Sequence, residues 1–316
     1  MMAQQVIVVS GGLSHEREVS LHSGHRIARE LTRAGFEVTI SDVQPSLIEL
    51  IRTLDHPVVF PLLHGGAGED GALREVFELI GVPYIGSSAA ACRASFNKGL
   101  AIPVVARAGL AVPKRVVLPH DMFRDLGAPM LMGLIEDRLG LPLFVKPSAS
   151  GSALGASRVD RIEDLPAAMV NAYSYGRVAV VEEFIAGTEV AVPVFDLGTG
   201  PVAFPPVEIR PASGVYDFEA RYTAGATTYI CPARLDPATI QACQDAAVCA
   251  HTSLRLRDFS RADIIVRDDG TPVFIESSVA PGMTETSPVP LSLETGGESF
   301  PDVLSKLVRL AANREA

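Results

Sequence analysis

Phe274-Ile275-Glu276-Ser277-Ser278-Val279-Ala280-Pro281-Gly282-Met283-Thr284 decides how the chain reads. A strand-like apolar run ends in a carboxylate and then breaks into a Ser/Pro/Gly loop. Just upstream lies a second short apolar run, Arg261-Ala262-Asp263-Ile264-Ile265-Val266, with an inward Arg and Asp. Between the two, Asp268-Asp269-Gly270 is a strong hairpin signal. Pairing the runs predicts that Asp263 and Glu276 come together. Two carboxylates on rigid strands make a hard oxygen site, suited to Mg²⁺ carrying phosphate.

The chain's 316 residues are enough for two or three modules with substantial cores. An apolar fraction of 47% with 20% charged residues describes a globular chain. The net charge of −10 argues against a broad nucleic-acid surface, although a basic pocket can sit inside an acidic protein. No apolar run has the length of a membrane span. The start, Met1-Met2-Ala3-Gln4-Gln5-Val6, lacks a basic segment followed by an apolar one, so a cytoplasmic location is expected. Cys92, Cys231, Cys243 and Cys249 have no Cys-x-x-Cys spacing and read as free thiols. His15-Glu16 does not continue into a metalloprotease helix, because the position for a second His is Val19.

Gln5-Val6-Ile7-Val8-Val9-Ser10 reads as a buried strand running into Gly11-Gly12, with a helix over 18–34 stopping at Gly35. Val38-Thr39-Ile40 and residues 57–63 are further strands, and 71–80 a second helix ending at Gly81. Alternating strands and helices predict a covered parallel sheet. Gly11-Gly12 lacks Gly-x-Gly-x-x-Gly, so no dinucleotide is assigned there. Helices are expected over 92–108 and 165–173. Leu143-Phe144-Val145-Lys146-Pro147 reads as a strand opening into Ser148-Ala149-Ser150-Gly151-Ser152-Ala153-Leu154-Gly155. Such a small-residue loop lets backbone N–H groups approach phosphates closely.

Several separated motifs together resemble the D-alanine–D-alanine ligases of the ATP-grasp superfamily. They are Gly11-Gly12-Leu13-Ser14-His15-Glu16-Arg17-Glu18-Val19-Ser20-Leu21, His64-Gly65-Gly66-Ala67-Gly68-Glu69-Asp70-Gly71 and Gly81-Val82-Pro83-Tyr84-Ile85-Gly86-Ser87. Lys146-Pro147 with its loop, Glu182-Glu183-Phe184-Ile185-Ala186-Gly187-Thr188-Glu189 and Tyr216-Asp217-Phe218-Glu219-Ala220-Arg221-Tyr222 follow, then residues 261–287. They occur in family order over nearly the whole chain. The resemblance implies an α/β and α+β architecture of three domains: an N-terminal parallel α/β domain over 1–88, a central ATP-grasp lobe over 89–180 and a C-terminal lobe with the metal site over 181–316. It implies an ATP-dependent carboxylate–amine ligase that phosphorylates one carboxylate and lets a second substrate's amine attack the acyl phosphate, for peptidoglycan precursor synthesis. ATP with Mg²⁺, or Mn²⁺ in its place, small amino-acid substrates and a homodimer are expected.

Residue by residue, the resemblance matches Lys98 and Lys146 to phosphate-contacting lysines, Glu182 and Ile185 to the adenine hinge, and Glu189 to a ribose contact. Glu16, Ser152 and Tyr222 match three residues hydrogen-bonded across domains, and Glu16 with His64 would hold the first amino acid. Arg261 and the Gly282 N–H match the groups that stabilise the tetrahedral intermediate, Arg221 and Ser287 those near the second carboxylate. Asp263, Glu276 and Ser278 match the metal ligands. Read alone, Glu16 suits the first turn of a helix, His64 a capped strand end and each lysine a surface ion pair.

The chain departs from the family pattern at several of these places. Ser278 stands where Asn is usual, a neutral hydroxyl of shorter reach. Arg221 replaces a lysine, keeping charge but not shape. Ser150, Ala153, Pro288 and Asn97 replace Glu, Ser, Leu and Asp. These changes bear on substrate identity more than on reaction type. They leave two alternatives: a ligase of the same scaffold joining another amino or hydroxy acid, and a non-catalytic nucleotide-binding relative.

Overall fold

The computed structural model describes residues 3–223 and 225–314, except the side chains of Phe218 and Tyr222. Three sheets organise it. In the first, Gln5–Val9 lies between Glu37–Ser41 and Val58–Pro61, all parallel. Its apolar run is buried from Val6 to Val9, as expected of a strand covered on both faces. The helix Arg17–Arg33 packs against it and ends before Gly35, whose φ of +91° suits a residue without a Cβ.

The second sheet is antiparallel, in the order Arg115–Pro119, Val178–Glu183, Leu143–Pro147, Ser157–Val159. The third has the order Thr227–Ile230, Val207–Pro211, Thr188–Asp196, Phe259–Val266, Pro272–Ser278, with Pro201–Ala203 added beside Thr188–Asp196. One core joins Val6, Val8 and Phe60 of the first sheet to Phe259, Met283, Val289, Val303 and Leu307 near the C-terminus. A second lies between the third sheet and the helix Pro237–Ser253, and also takes in Cys92, Ala101 and Val105. Leu143, Val145, Leu165, Met169 and Val181 form a separate core in the second sheet.

The helix expected over 92–108 is two helices, Ala89–Phe96 and Lys98–Arg107. Asn97 between them is extended (φ −87°, ψ 100°), and the Lys98 N–H turns to the Ser148 carbonyl at 2.8 Å. The break fastens the start of the second helix to the loop after Pro147, a tertiary demand that periodicity does not reveal. The helix Leu165–Tyr173 and the strand Leu143–Pro147 form where the sequence predicts them. All four cysteines are free thiols. Among the described residues no helix is long and apolar enough to cross a membrane.

Candidate active site

The hairpin forms at Asp268-Asp269-Gly270. Arg267 N–H donates to the Thr271 carbonyl, and Gly270 takes a φ of +82°. Asp263 lies directly opposite Glu276 in the ladder. The register then slips, so that Ile264 faces Phe274 and Ile275 is the extra residue. A bulge re-aims side chains, and here Ile275 and Glu276, neighbours that a regular strand would point to opposite faces, both line one cavity. Arg261, opposite Ser278, forks onto Asp263 through Nε and Nη2 at 2.6 and 2.8 Å. Burial would favour a neutral Arg261; the Asp263 carboxylate overcomes it and raises the guanidinium further above its ordinary range. Glu276 is 3.0 Å from Lys98 Nζ. Burial would lift its carboxyl, but Lys98, Lys146 and Arg221 outweigh that and hold it at about 2.

Lys98 also donates to the Ser150 carbonyl at 2.7 Å, so one ammonium spans the metal strand and the small-residue loop. In that loop Ser152 and Ala153 have φ of +50° and +56°. Consecutive residues in this sparsely populated region cost conformational energy and are characteristic of ligand-gripping turns. The Ser152 hydroxyl donates to Glu16 Oε1, closing the loop over the first domain. A Cβ at Gly151 would lie 2.9 Å from Glu16 Oε2, so glycine permits this approach. Lys146 Nζ meets Glu182 Oε1 at 2.6 Å across adjacent strands, both side chains buried. Glu182 Oε2 is buried without a hydrogen-bond partner.

His64 is buried, with Nδ1 2.7 Å from the Ala280 carbonyl. Burial pushes its pKa down and keeps the ring neutral, against the pull of Glu16. Ser287 Oγ accepts from the Thr284 N–H at 3.1 Å, and a Cβ on Gly282 would sit 2.9 Å from that same Oγ. The Arg221 guanidinium stacks over the Tyr216 ring at 4.1 Å, and its Nε is buried without a partner. Tyr222 ends the short helix Phe218–Tyr222; its side chain lies outside the described residues. Ser278 Oγ donates at 3.3 Å to Glu69, a buried carboxylate that sequence reading quotes within a motif without giving it a role. Tyr216, whose ring carries Arg221, likewise has no role that its sequence position signals.

These side chains surround two adjoining cavities. The larger, about 870 Å³, is lined by Glu16, His64, Glu69, Ser152, Arg261 and Gly282, with Ser287 at its edge. The smaller, about 300 Å³, is lined by Lys146, Glu182, Ile185, Glu189 and Asp263. Burial pushes the Glu189 carboxyl up to about 7. Lys98, Ser150, Tyr216, Arg221 and Glu276 belong to both walls. All the sequence-predicted residues with described side chains therefore gather here, in two connected chambers whose junction carries two cations, Lys98 and Arg221, and one carboxylate, Glu276. Among the described residues no group of three or more His, Cys, Asp or Glu forms a ready metal cage. Asp263, Glu276 and Ser278 are hard oxygen donors, and such a set suits Mg²⁺ once phosphate oxygens complete it.

Two adjoining cavities, the Lys98 and Arg221 cations at their junction and a carboxylate pair opposite each other in a ladder set the frame for comparison with known proteins. Residues 43–87 match the family "D-ala D-ala ligase N-terminus" and residues 104–309 match "D-ala D-ala ligase C-terminus". The chain belongs to the D-alanine–D-alanine ligase family. It is 37% identical to a D-alanine–D-alanine ligase of Desulforudis audaxviator over 99% of this chain and 100% of that one. It is 36% identical to one from Pelotomaculum thermopropionicum, over 98% of this chain and 97% of the other. Among solved structures it is similar to the VanG D-Ala:D-Ser ligase from Enterococcus faecalis, with a TM-score of 0.87 and 29% identity. That match covers 98% of this chain and 99% of the other. The family likeness thus extends over both cavities and over every lobe that lines them.

Proposed function

We propose that the protein is an ATP-dependent ligase that joins two D-alanines through an acyl phosphate, supplying the dipeptide for peptidoglycan precursors. The observation that carries this reading is the shared wall of the two cavities, where Lys98, Arg221 and Glu276 stand between a nucleotide-sized chamber and a larger one. The three sheets would serve as three domains, the first ending near residue 88; the expected boundary at 180 would divide the strand Val178–Glu183 of the second sheet, so the central lobe would end beyond that strand. The enzyme would work in the cytoplasm as a homodimer.

In this reading the adenine enters the smaller chamber against Ile185. The unpartnered Glu182 Oε2 offers an acceptor there for a ligand N–H, and Glu189 receives the ribose. Lys146 and Lys98 meet the phosphates, under the backbone N–H groups of the 148–155 loop. Asp263, Glu276 and Ser278 would hold Mg²⁺ or Mn²⁺, which supplies neutralisation of the crowded phosphate charge. A carboxylate is a poor electrophile. Attack of the first D-alanine's carboxylate oxygen on the γ-phosphorus makes a C–O–P link and releases ADP, and the phosphate becomes a leaving group. Glu16 and His64 flank the first substrate's ammonium end, and Ser152 and Tyr222 close the loop over it. Arg221 and Ser287 receive the second D-alanine's carboxylate. Its amine attacks the acyl carbon, and the oxygen that becomes negative meets Arg261 and the Gly282 N–H; collapse of this adduct breaks the C–O bond to phosphate, releases inorganic phosphate and gives the nitrogen's surplus proton to solvent. Arg261 uses Nε and Nη2 on Asp263 and leaves Nη1 for that oxygen. Preorganised donors of this kind contribute about 3–4 kcal/mol each.

The test is phosphate release with ATP and Mg²⁺, followed by mass spectrometry of the product. D-Alanine alone should support release and yield D-alanyl-D-alanine. Release only when D-serine or a D-hydroxy acid is added would replace the acceptor. No release with any acid would leave a nucleotide-binding protein without ligase activity.

A further inference from the structure

The loop bearing Gly282 and Ser287 is fastened from outside its own domain. Met283, next to Gly282, has both backbone polar groups held by the first helix: its N–H donates to Ser23 Oγ at 3.1 Å, and its carbonyl accepts from Arg26 Nη1 at 2.9 Å. On the other side of Gly282, the Ala280 carbonyl lies 2.7 Å from His64 Nδ1. Ser23 Oγ stands 3.5 Å from His64 Nε2, a long contact. The directions are mutually consistent. The Ala280 carbonyl can only accept, so Nδ1 carries the proton of the neutral ring, and the Ser23 hydroxyl, which accepts from Met283, turns its own proton to Nε2. Nε2 must then be the acceptor, and Nδ1–H donates to Ala280. The chain Met283–Ser23–His64–Ala280 is a closed clip around the Pro281-Gly282 peptide. The neutral ring it needs agrees with the lowered pKa that burial gives His64. Arg26 is itself fixed, its guanidinium 4.5 Å above the Phe300 ring and 3.8 Å from Glu285. The Met283 side chain, 1% exposed, is anchored in the core shared with that helix.

We propose that Ser23, Arg26 and His64 are positioning residues that hold the Gly282 N–H in place for the tetrahedral adduct. The N-terminal domain thereby supplies the rigidity of an oxyanion donor that belongs to the C-terminal lobe. This rests on the reading that Gly282 faces that adduct. A donor preorganised by three separate anchors avoids reorganisation during the reaction. Misplacement by about 1 Å can cost on the order of 100-fold in rate.

The experiment compares Arg26→Ala, Arg26→Lys, Ser23→Ala and, as a control, Arg29→Ala. Arg29 is a neighbouring exposed cation that pairs with Glu285 at 3.3 Å. Turnover and the KM of ATP and of D-alanine are measured, together with calorimetric binding of a phosphinate mimic of the tetrahedral adduct. Arg26→Ala should lower kcat by about 30-fold and weaken the mimic by a similar factor, with the KM of ATP within about twofold. Ser23→Ala should do the same more weakly, Arg26→Lys should recover part of the loss, and Arg29→Ala should change kcat by less than about twofold. Loss of ATP binding and thermal stability in step with kcat would reduce Arg26 to a structural role and overturn the proposal. So would unchanged affinity for the mimic, or equal damage from Arg29→Ala. Dipeptide formation by the wild-type protein is read separately. Its absence overturns the functional reading, whereas mimic binding needs no turnover and still decides the positioning claim.

Discussion

Ser278 and Glu69 set the balance of charge beside Glu276, where the proposed metal would bind. Glu69 Oε1 accepts the Gly65 N–H at 2.7 Å, and Oε2 receives the Ser278 hydroxyl at 3.3 Å. Burial, with Glu16 adding to it, pushes the Glu69 carboxyl up to about 7. A hydroxyl occupied with a carboxylate and short in reach is a weak ligand beside Glu276. An Asn carbonyl extends further and carries more negative charge. Ser278→Asn is therefore expected to lower the Mg²⁺ concentration for half-maximal activity by about threefold, close to 0.7 kcal/mol. A Mg²⁺ titration of both proteins at saturating ATP measures it. An unchanged or higher requirement would mean that Ser278 already satisfies the site. The substitution itself is plain in the sequence once Asp263 and Glu276 are paired. The role of Glu69 is not, because a Glu after Gly66-Ala67-Gly68 ordinarily faces water, and only the fold brings Ser278 and Glu16 around it.

At the scale of elements, the helix Pro237–Ser253 supports the strand that carries Arg261 and Asp263. Its His251 lies on the strand side, with Nδ1 2.8 Å from Ser260 Oγ. Burial lowers the His251 pKa from 6.5 to about 4, against the pull of Asp196. Between pH 6.5 and 4 the unfolded chain binds a proton that the folded one refuses. The stability from neutral His251 is complete above 6.5 and is lost as pH falls towards 4. At pH 5 that loss amounts to about 2 kcal/mol. His251→Gln, which does not titrate, should be less stable than wild type at pH 7 and should close most of that gap by pH 5. Denaturant unfolding at both pH values measures it, and a constant gap would remove His251 from the acid response. The hairpin was legible because its turn residues and its two carboxylates are local signals. The break at Asn97 was not, because a partner on Ser148, far away in sequence, decides it. The Pro237–Ser253 helix was also missed. Its small, weakly alternating residues pack closely on the third sheet but give little periodic signal.

At the scale of the molecule, the arrangement of the cores says which parts move together. The first sheet and the C-terminal helices share one core, and Phe259 belongs to it while Ala262 and Ile264 of the same strand belong to the next. Thr188–Asp196 crosses in the same way, with Phe195 in the first core and Val190, Val192 and Val194 in the next, so two paired strands bind those regions together. Asp258 adds a buried clamp, with Oδ2 accepting the Gly86 N–H at 2.6 Å and Oδ1 paired to Arg314. The second sheet encloses its own core. Its polar ties to the rest include Asn97, Lys98 and Gly99 on Ser148 and Ser150, Ser152 on Glu16 and Glu183 on Arg267. Few apolar contacts cross that boundary, so its opening should cost less than global unfolding. Hydrogen exchange in low denaturant is expected to resolve two cooperative units. Amides of Val145 and Val181 should open together, at least about 1 kcal/mol below those of Val8 and Val192. A non-hydrolysable ATP analogue with Mg²⁺ should raise the lower isotherm towards the upper, because its phosphates would meet Lys146 of one unit directly and Glu276 of the other through the Mg²⁺ that Glu276 would hold. A single isotherm without nucleotide would mean that the lobes unfold as one body. The chamber lined by Lys146 and Glu276 would then have to admit its nucleotide without the central lobe opening separately.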